Sequence, residues 1–174
     1  MIDINIKKEI NALFEKDYGA SINPNVMKVC RIRDVKLPNK AHNVDAGFDF
    51  FIPNDFQPYT LLQGNDICIP SGVKVIVPEG YALIAMNKSG VATKKKLRVG
   101  ACVVDEGYAG EVHIHLFNDG HDAVLLEPGM KIIQFVLVRV GNHNVCEIGE
   151  AEYKEHMNKF YTRGEGAFGS TGEK

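Results

Sequence analysis

The spacing of apolar residues changes twice along the chain. Near the start, apolar residues recur at helical intervals, and Gly19 follows as a helix stop. This spacing predicts a helix over Asp3–Tyr18, one face of which carries Ile6, Ile10, Leu13 and Phe14. Polar residues follow and predict a linker, so residues 1–26 are expected to form an N-terminal helical extension.

From Met27 to Val140 the chain consists of short apolar runs separated by proline and glycine, a pattern typical of strands. Strands are predicted over Lys28–Arg33, Ile67–Val77, Tyr81–Met86, Leu97–Val104, Glu111–Phe117 and Lys131–Val140. Because no long helical segment separates these runs, parallel βαβ units are not expected. The pattern predicts an all-β fold, a distorted jelly roll or β-barrel of short antiparallel strands, over residues 27–148.

Helical spacing returns over Glu150–Phe160, where Tyr153, Met157 and Phe160 lie on one face. A glycine-rich segment follows it. Residues 149–174 are therefore predicted to form a helix and a C-terminal arm outside the β-domain.

Composition narrows the class of protein. The 174 residues are 45% apolar and 24% charged with a net charge of −2, which is typical of a globular domain and gives no general attraction to nucleic acid or membrane. Neither a membrane-spanning run nor a signal peptide is recognisable, so a cytoplasmic location is expected. None of the four cysteines forms a C-x-x-C pair, which favours buried, reduced thiols: Cys30, Cys68, Cys102 and Cys146.

The segment Arg163–Gly172 reads R-G-E-G-A-F-G-S-T-G. Four glycines in ten residues do not suit a core element, because each loses much backbone entropy on ordering. The segment offers backbone N–H groups, two hydroxyls and a guanidinium, which suit phosphate oxygens, and the ring of Phe168, which suits a nucleobase. The alternative is a disordered terminus.

Two further segments could bind phosphate. D-A-G-F-D-F at Asp45–Phe50 places a carboxylate where a strand begins, and is otherwise a turn capped by aspartate. N-K-S-G at Asn87–Gly90 follows an apolar strand and offers a lysine, a hydroxyl and backbone N–H groups, and is otherwise a surface turn. The basic run Lys94–Lys96 after it is interpreted as a solvated face.

Two segments suggest a reaction centre. V-G-A-C-V-V-D-E-G-Y-A-G at Val99–Gly110 predicts a hairpin with a pocket at its mouth, in which Asp105 borders apolar residues and acts as a base while Tyr108 packs under a sugar. The alternative is an ordinary hairpin turn. In P-G-M-K-I-I-Q, Gln134 leaves an apolar run and is either an edge residue or a functional contact.

His113 and His115 alternate on one strand and share a face. Such a pair can bind a metal, but no third ligand is evident in the sequence. A face that lines a channel or packs in the core is the favoured interpretation.

The five segments, in this order along a β-rich chain, resemble the five motifs of the trimeric dUTP pyrophosphatase (dUTPase) family. The resemblance runs from Met27 to Gly172, and the third and fifth motifs are its most specific parts. It implies an all-β trimer that hydrolyses dUTP, with Mg²⁺ held mainly by the triphosphate and with sites shared between chains.

The resemblance also implies a role for each matching residue. Asp105 would orient the attacking water, with Gln134 near that water and the α-phosphate. The base and sugar would be bound by the hairpin Gly100–Val104, including Ala101 and Cys102, by Tyr108, and by Phe168 stacking on uracil. Phosphate would be bound by Lys88, Ser89, Gly90, Arg163, Gly169, Ser170 and Thr171. Asp49 would organise the phosphate and metal region without binding the metal directly.

The chain departs from the family pattern at several positions. Lys88 stands where arginine is usual, which keeps the charge and loses the planar fork. Gly107 stands where aspartate is frequent, Ala109 where arginine is frequent, and Cys102 and Ala167 where glycine is frequent. None of these changes removes a group that the chemistry needs.

Two other functions are compatible with parts of the sequence. A dCTP deaminase has a similar fold, but its glutamate base would stand three residues before Asn118, where this chain has His115. A nucleotide-responsive regulatory protein is the other alternative, for which the N-terminal extension leaves room. Retention of Asp105, Gln134 and the arm favours the hydrolase.

Overall fold

The computed structural model describes residues 27–141 and 143–161, and these form eleven strands and two helices. The strands are β1 Lys28–Arg31, β2 Gly47–Phe51, β3 Tyr59–Leu61, β4 Asp66–Pro70, β5 Val73–Ile76, β6 Tyr81–Met86, β7 Leu97–Val99, β8 Val103–Val104, β9 His113–Asn118, β10 Val124–Leu126 and β11 Lys131–Arg139. The helices are α1 Ser89–Lys95 and α2 Glu150–Phe160.

The strands pair antiparallel throughout and form small sheets, which confirms the predicted all-β class. The largest sheet has the order β2-β11-β6-β8, and a second has the order β4-β9-β7. Two-stranded pairs, β1 with β5 and β3 with β10, complete the arrangement. In the largest sheet Gln134 of β11 lies opposite Asp49 of β2 on one side and Met86 of β6 on the other.

One continuous core lies between the sheets. The alternation of a half-buried strand is clear in β9, where Ile114 and Leu116 are buried while His113 is exposed. The rings of Phe50 and Phe135 lie at the centre with their centroids 4.5 Å apart. The core therefore fixes the registers of β2, β6 and β11, which carry the polar residues considered below.

Two predicted strands are each divided in the structure. Ile67–Val77 breaks into β4 and β5 at Gly72, whose φ of +79° favours glycine. A larger residue would also not fit there, because its Cβ would lie only 2.8 Å from the Val35 side chain. Leu97–Val104 breaks into β7 and β8, which belong to different sheets. The expectation of buried thiols is wrong, since all four cysteines are free and exposed in this chain.

The described residues fall into two compact units that divide after Gly141. The second unit contains α2, whose bounds agree with the predicted helix, and Lys154 pairs with Glu150 one turn away. The predicted boundary between residues 148 and 149 stays a prediction, and the predicted helix over Asp3–Tyr18 lies outside the described residues. Neither of the described helices is long and apolar enough to span a membrane.

Candidate active site

A buried carboxylate holds two ammonium groups at one edge of the largest sheet. Asp49 of β2 is only 6% exposed. Its Oδ1 pairs with Nζ of Lys88, and its Oδ2 lies 3.2 Å from Nζ of Lys131. We call these three residues the lysine–carboxylate cluster. Two cations against one anion leave the cluster with a net positive charge, and Lys131 is half exposed, so the cluster can attract an anionic ligand.

Gln134 lies beside this cluster, on the strand that pairs with Asp49. Its Nε2 donates to the carbonyl oxygen of Asn87 over 2.9 Å. A Cβ on Gly47 would lie 2.5 Å from Oε1 of Gln134, so the glycine leaves the space in which the amide lies. Because β11 is an inner strand of its sheet, the interpretation of Gln134 as an edge residue is wrong.

The segment N-K-S-G continues into a short helix. Lys88 is the N-cap residue of α1, and Ser89 and Gly90 form its first turn. Ala92 N donates to the carbonyl oxygen of Lys88 over 2.8 Å. No described atom would contact a Cβ at Gly90, so this turn is open to an incoming group. Lys94 and Lys95 are exposed in the last turn, in agreement with a solvated basic face.

The segment Gly100–Val104 crosses from one sheet to the other and is held at both ends. Gly100 N donates to the carbonyl oxygen of His115, and Ala101 N donates to Nδ1 of His115, each over 2.8 Å. The carbonyl oxygen of Cys102 accepts a hydrogen bond from Ala85 N over 2.7 Å. Val104 is buried and pairs with β6. The backbone of this segment is therefore fixed without any ligand.

The predicted hairpin is only partly formed. β7 pairs with β9 as a hairpin strand would, but β8 turns away and pairs with β6. Asp105–Gly110 then forms a tight turn in which Tyr108 N donates to the carbonyl oxygen of Asp105 over 3.2 Å. Gly107 adopts φ of +85°, a conformation that favours glycine and accounts for its presence where aspartate is frequent.

Tyr108 folds back over its own turn. Its hydroxyl donates to the carbonyl oxygen of Glu111 over 3.1 Å, and a Cβ on Gly110 would overlap the Tyr108 ring and hydroxyl. The Tyr108 side chain is nevertheless about half exposed, at 46%. It lines a groove of about 500 Å³ with residues of β1 and β5, and Asp105 does not line that groove.

Glu111 anchors the end of this turn. Its Oε1 accepts hydrogen bonds from Arg33 Nε over 3.0 Å and from Gly72 N over 2.7 Å. Partial burial raises the pKa of Glu111, but the hydrogen bonds from Arg33 and Gly72 together with the Arg33 charge lower that pKa below its ordinary value. The anchor therefore contributes stability while Glu111 is ionised and loses that contribution as the pH falls through the lowered pKa.

Asp105 is exposed in this chain, so the expectation that it borders apolar surroundings is wrong for the single chain. Val104, the residue before it, is buried and faces the core, while Val103 is 56% exposed. The two valines thus do not enclose the carboxylate that follows them.

Asp105 and Gln134 lie toward opposite ends of β6. Val104 pairs with Leu83, so the continued register places Asp105 beside Ala82, and Gly80 N donates to Oε2 of Glu106 in agreement with this direction. Gln134 pairs with Met86 from the other side of β6. The rise of four residues along β6, combined with two inter-strand spacings at right angles to it, places the backbones of Asp105 and Gln134 about 16 Å apart. The amide of Gln134 also points onward, toward Asn87.

The chain thus brings together one group of the predicted residues and separates it from another. Asp49, Lys88 and Gln134 converge, with Ser89 and Gly90 next along the chain. Gly100–Val104, Asp105 and Tyr108 form the other group. Arg163, Phe168, Gly169, Ser170 and Thr171 lie outside the described residues.

Sequence reasoning missed Lys131, Gly47 and Asn87. Lys131 lies two residues after Pro-Gly in the segment P-G-M-K-I-I-Q, and its charge is the available signal. The turn capped by aspartate that D-A-G-F-D-F predicts is present, since Asp45 Oδ2 accepts a hydrogen bond from His42 N over 2.8 Å. Gly47 itself begins β2. The backbone carbonyl oxygen of Asn87 holds the Gln134 amide, and no pattern of residue types in the sequence indicates such a backbone contact.

The histidine pair does not line the core. His113 is exposed, and the two ring nitrogens of His115 contact Ala101 N and Asp66. Within residues 27–141 and 143–161, the structure contains no group of three His, Cys, Asp or Glu side chains that could hold a metal ion.

Comparison with known proteins identifies the family. The dUTPase family model matches residues 33–172. The deoxyuridine 5'-triphosphate nucleotidohydrolase of Alkaliphilus metalliredigens is 33% identical over 151 residues, which cover 85% of this chain and 98% of that protein.

Solved structures agree. A mutant dUTPase of Staphylococcus bacteriophage 80alpha, determined with dUpNHpp, is 25% identical with a TM-score of 0.71, covering 85% of this chain and 99% of that one. The dUTPase of the S. aureus phage phi11, whose structure describes a structural Mg(II) ion, is 22% identical with a TM-score of 0.65, covering 74% of this chain and 99% of that one, and shows the shared fold. This chain belongs to the dUTPase family.

Proposed function

We propose that this protein hydrolyses dUTP to dUMP and pyrophosphate, at sites assembled from more than one copy of the chain. Family membership supports the substrate, since the relative from Alkaliphilus metalliredigens is a deoxyuridine 5'-triphosphate nucleotidohydrolase. The observation that carries the shared site is the separation of Asp105 from Gln134 along β6.

The separation argues against a site within one chain. The family resemblance assigns both Asp105 and Gln134 to the attacking water. One water can join two polar atoms that are at most about 5.6 Å apart, which is two hydrogen-bond lengths. The two backbones are about 16 Å apart and the Gln134 amide points away from Asp105, so one water does not join them within a chain. A symmetric trimer would supply Asp105 from one copy and Gln134 from another.

The lysine–carboxylate cluster is the proposed binding site for the phosphates. Asp49 holds the ammonium groups of Lys88 and Lys131 in place, and the open first turn of α1 presents Ser89 and Gly90 beside them. A triphosphate is strongly anionic, so these fixed positive charges stabilise both the bound substrate and the pyrophosphate that leaves. Arg163 and the hydroxyls of the C-terminal arm would complete the phosphate contacts.

In the proposed reaction the Asp105 carboxylate takes a proton from a water as that water attacks the α-phosphorus in line. The new bond joins the water oxygen to the α-phosphorus, and the bond from the α-phosphorus to the bridging oxygen breaks. The electron pair of the broken bond leaves with pyrophosphate, and the proton passes from Asp105 to solvent. Tyr108 would pack against the deoxyribose and Phe168 on the uracil ring.

The residues of the lysine–carboxylate cluster are compatible with a Mg²⁺ ion that enters the site already bound to the triphosphate. The buried carboxylate of Asp49 is occupied by two lysines, so its role here is to position them. Triphosphate oxygens and waters would hold the ion, as Mg²⁺ prefers. When bound, the ion neutralises charge on the phosphates and the leaving group.

The deaminase alternative is disfavoured by His115. Its ring nitrogens are engaged by Ala101 N and by the Asp66 carboxylate, so they cannot shuttle protons at a cytosine ring.

The test is pyrophosphate release from dUTP, dCTP, dTTP and UTP measured side by side with Mg²⁺. We expect release from dUTP alone, together with dUMP. Ammonia release from dCTP, or equal hydrolysis of all four nucleotides, would contradict the proposal.

A further inference from the structure

The His115 side chain lies directly against the segment Gly100–Val104. The backbone of His115 accepts a hydrogen bond from Gly100 N, and its ring accepts one from Ala101 N, each over 2.8 Å. A Cβ on Gly100 would overlap the imidazole ring, so the glycine lies flat against it. His115 of β9 therefore holds the backbone N–H groups of both Gly100 and Ala101 in place.

The hydrogen bonds define the tautomer of the ring. Ala101 N is a donor, so Nδ1 of His115 must be an unprotonated acceptor. The proton of the neutral ring is then on Nε2, which donates to Oδ2 of Asp66 over 2.9 Å. Asp66 thereby holds the ring in the one neutral form that can accept from Ala101.

The surroundings of the ring argue against a role for His115 as a base for the neighbouring thiol. Cys68 of β4 lies opposite His115, but both ring nitrogens are already engaged, and burial together with the Asp66 charge raises the pKa of the Cys68 thiol. Cys68 and His115 therefore do not form a nucleophile and base. The Phe117 ring packs against His115 at 4.9 Å, and the Arg98 guanidinium covers Phe117.

We propose that His115 is a positioning residue for uracil recognition, and that its neutral form holds the backbone of Gly100–Val104 in the shape that binds the base. The inference rests on the proposed function and on the family resemblance, which implies that this segment binds the base and sugar. Protonation of His115 turns Nδ1 into a donor that faces the N–H of Ala101, so acid should loosen the segment and weaken dUTP binding. The charged and titratable groups around the ring are Asp66 and Cys68 on β4, His113 on β9, and Arg98 on β7 with its partner Asp119.

Three variants of the full chain test the proposal. His115→Phe keeps a ring of similar size and removes both nitrogens. His115→Asn places an amide oxygen near the position of Nδ1, so it retains an acceptor that acid does not protonate. His113→Asn is the matched control, since His113 is exposed on the same face of β9 and its described hydrogen bond is with the carbonyl oxygen of Glu111.

The measurements are the Kd for a non-hydrolysable dUTP analogue and the amide signal of Ala101 by NMR, both over a pH series that extends until the His115 ring signals show protonation. We expect His115→Phe to raise the Kd at pH 7.5 roughly fivefold, as loss of one hydrogen bond would. The wild type should lose affinity as the His115 ring becomes protonated, with a matching shift of the Ala101 amide. In His115→Asn that amide shift should be absent and the loss of affinity smaller, because only the phosphates and other groups still titrate.

The outcomes separate this inference from the proposed function. A wild type that binds the analogue, with a Kd and a pH dependence that neither His115 variant alters, would overturn the inference alone. If His115→Phe does not fold, His115→Asn and the Ala101 amide signal decide, and an Ala101 amide that does not respond when the His115 ring becomes protonated would overturn the inference. A wild type that binds no dUTP analogue would contradict the proposed function and this inference with it.

Discussion

The two halves of the proposed site differ in how far one chain completes them. The lysine–carboxylate cluster is built around a carboxylate that is 6% exposed, and Gln134 beside it has its amide fixed by Asn87. The turn at Asp105–Gly110 is fixed in its backbone, but Asp105 and Tyr108 are exposed. A single chain thus prepares the described part of the phosphate end and presents the Asp105 carboxylate outward, as a group meant to meet another copy would be.

This difference has a physical basis. Asp49 can remain buried and ionised because two ammonium groups compensate its charge within the same chain. A carboxylate that acts on water must keep its oxygens free of such partners. Among the residues that the structure describes, none forms a side-chain ion pair with Asp105, which suits that requirement.

The largest expected effect comes from Asp105→Asn. The amide cannot accept the proton of the attacking water, so kcat should fall by about 10²–10⁴-fold while dUTP still binds. Steady-state kinetics and the Kd for a dUTP analogue measure the two quantities. Glu106→Gln is the matched control, because Glu106 is the neighbouring carboxylate and, among the described residues, accepts its hydrogen bond from Gly80 N. A variant that kept more than half of the wild-type kcat would remove Asp105 from the reaction.

A smaller effect is expected from Gly47→Ala, which probes the part of the site formed by the lysine–carboxylate cluster and Gln134. The new methyl group would lie 2.5 Å from Oε1 of Gln134, so the amide must shift from the position in which it donates to Asn87. Misplacement of a group near the reacting water should lower kcat by about 10- to 100-fold with little loss of stability. Gly149→Ala is the control, since no described atom lies within 4 Å of a Cβ there. An unchanged kcat would mean that the Gln134 amide does not act on the water.

The smallest effect is expected from Lys88→Arg. The substitution keeps the charge that pairs with Asp49 and adds the planar donor that the family usually has, so kcat should change little and the KM for dUTP should stay equal or fall. Lys88→Met is the comparison that removes the charge and should raise the KM. Inactivation by Lys88→Arg would show that the ammonium shape itself is required beside Asp49.

The sequence predicted the fold where periodicity and length were sufficient. Tyr81–Met86 and Glu150–Phe160 have the predicted bounds, because each is a continuous run with a clear boundary at both ends. The beginning of a strand is expected within D-A-G-F-D-F, but the sequence does not predict the bounds of β2. G-F-D-F-F buries four of its five residues, including a carboxylate, and so shows no polar alternation. α1 was missed because seven residues are too few for a helical period to show.

The candidate site was predicted in its parts but not in its arrangement. Motifs identified Asp49, Lys88, Asp105 and Gln134, yet their distances depend on the registers of β2, β8 and β11 against one another, which only the packed sheet fixes. Lys131 and the ring of His115 gain their roles from partners that are distant in sequence, namely Asp49 and Ala101.

The most direct test of the shared site mixes two inactive chains. Asp105→Asn and Gln134→Ala, differently tagged, are each expected to be inactive alone, and they are co-expressed and purified as mixed trimers. If each site takes Asp105 from one chain and Gln134 from another, roughly a third of the sites in trimers that contain both chains have both residues intact. The account predicts recovery of about a third of wild-type activity by that count. Activity that stays at the level of the single variants would show that both residues come from the same chain and would contradict the account.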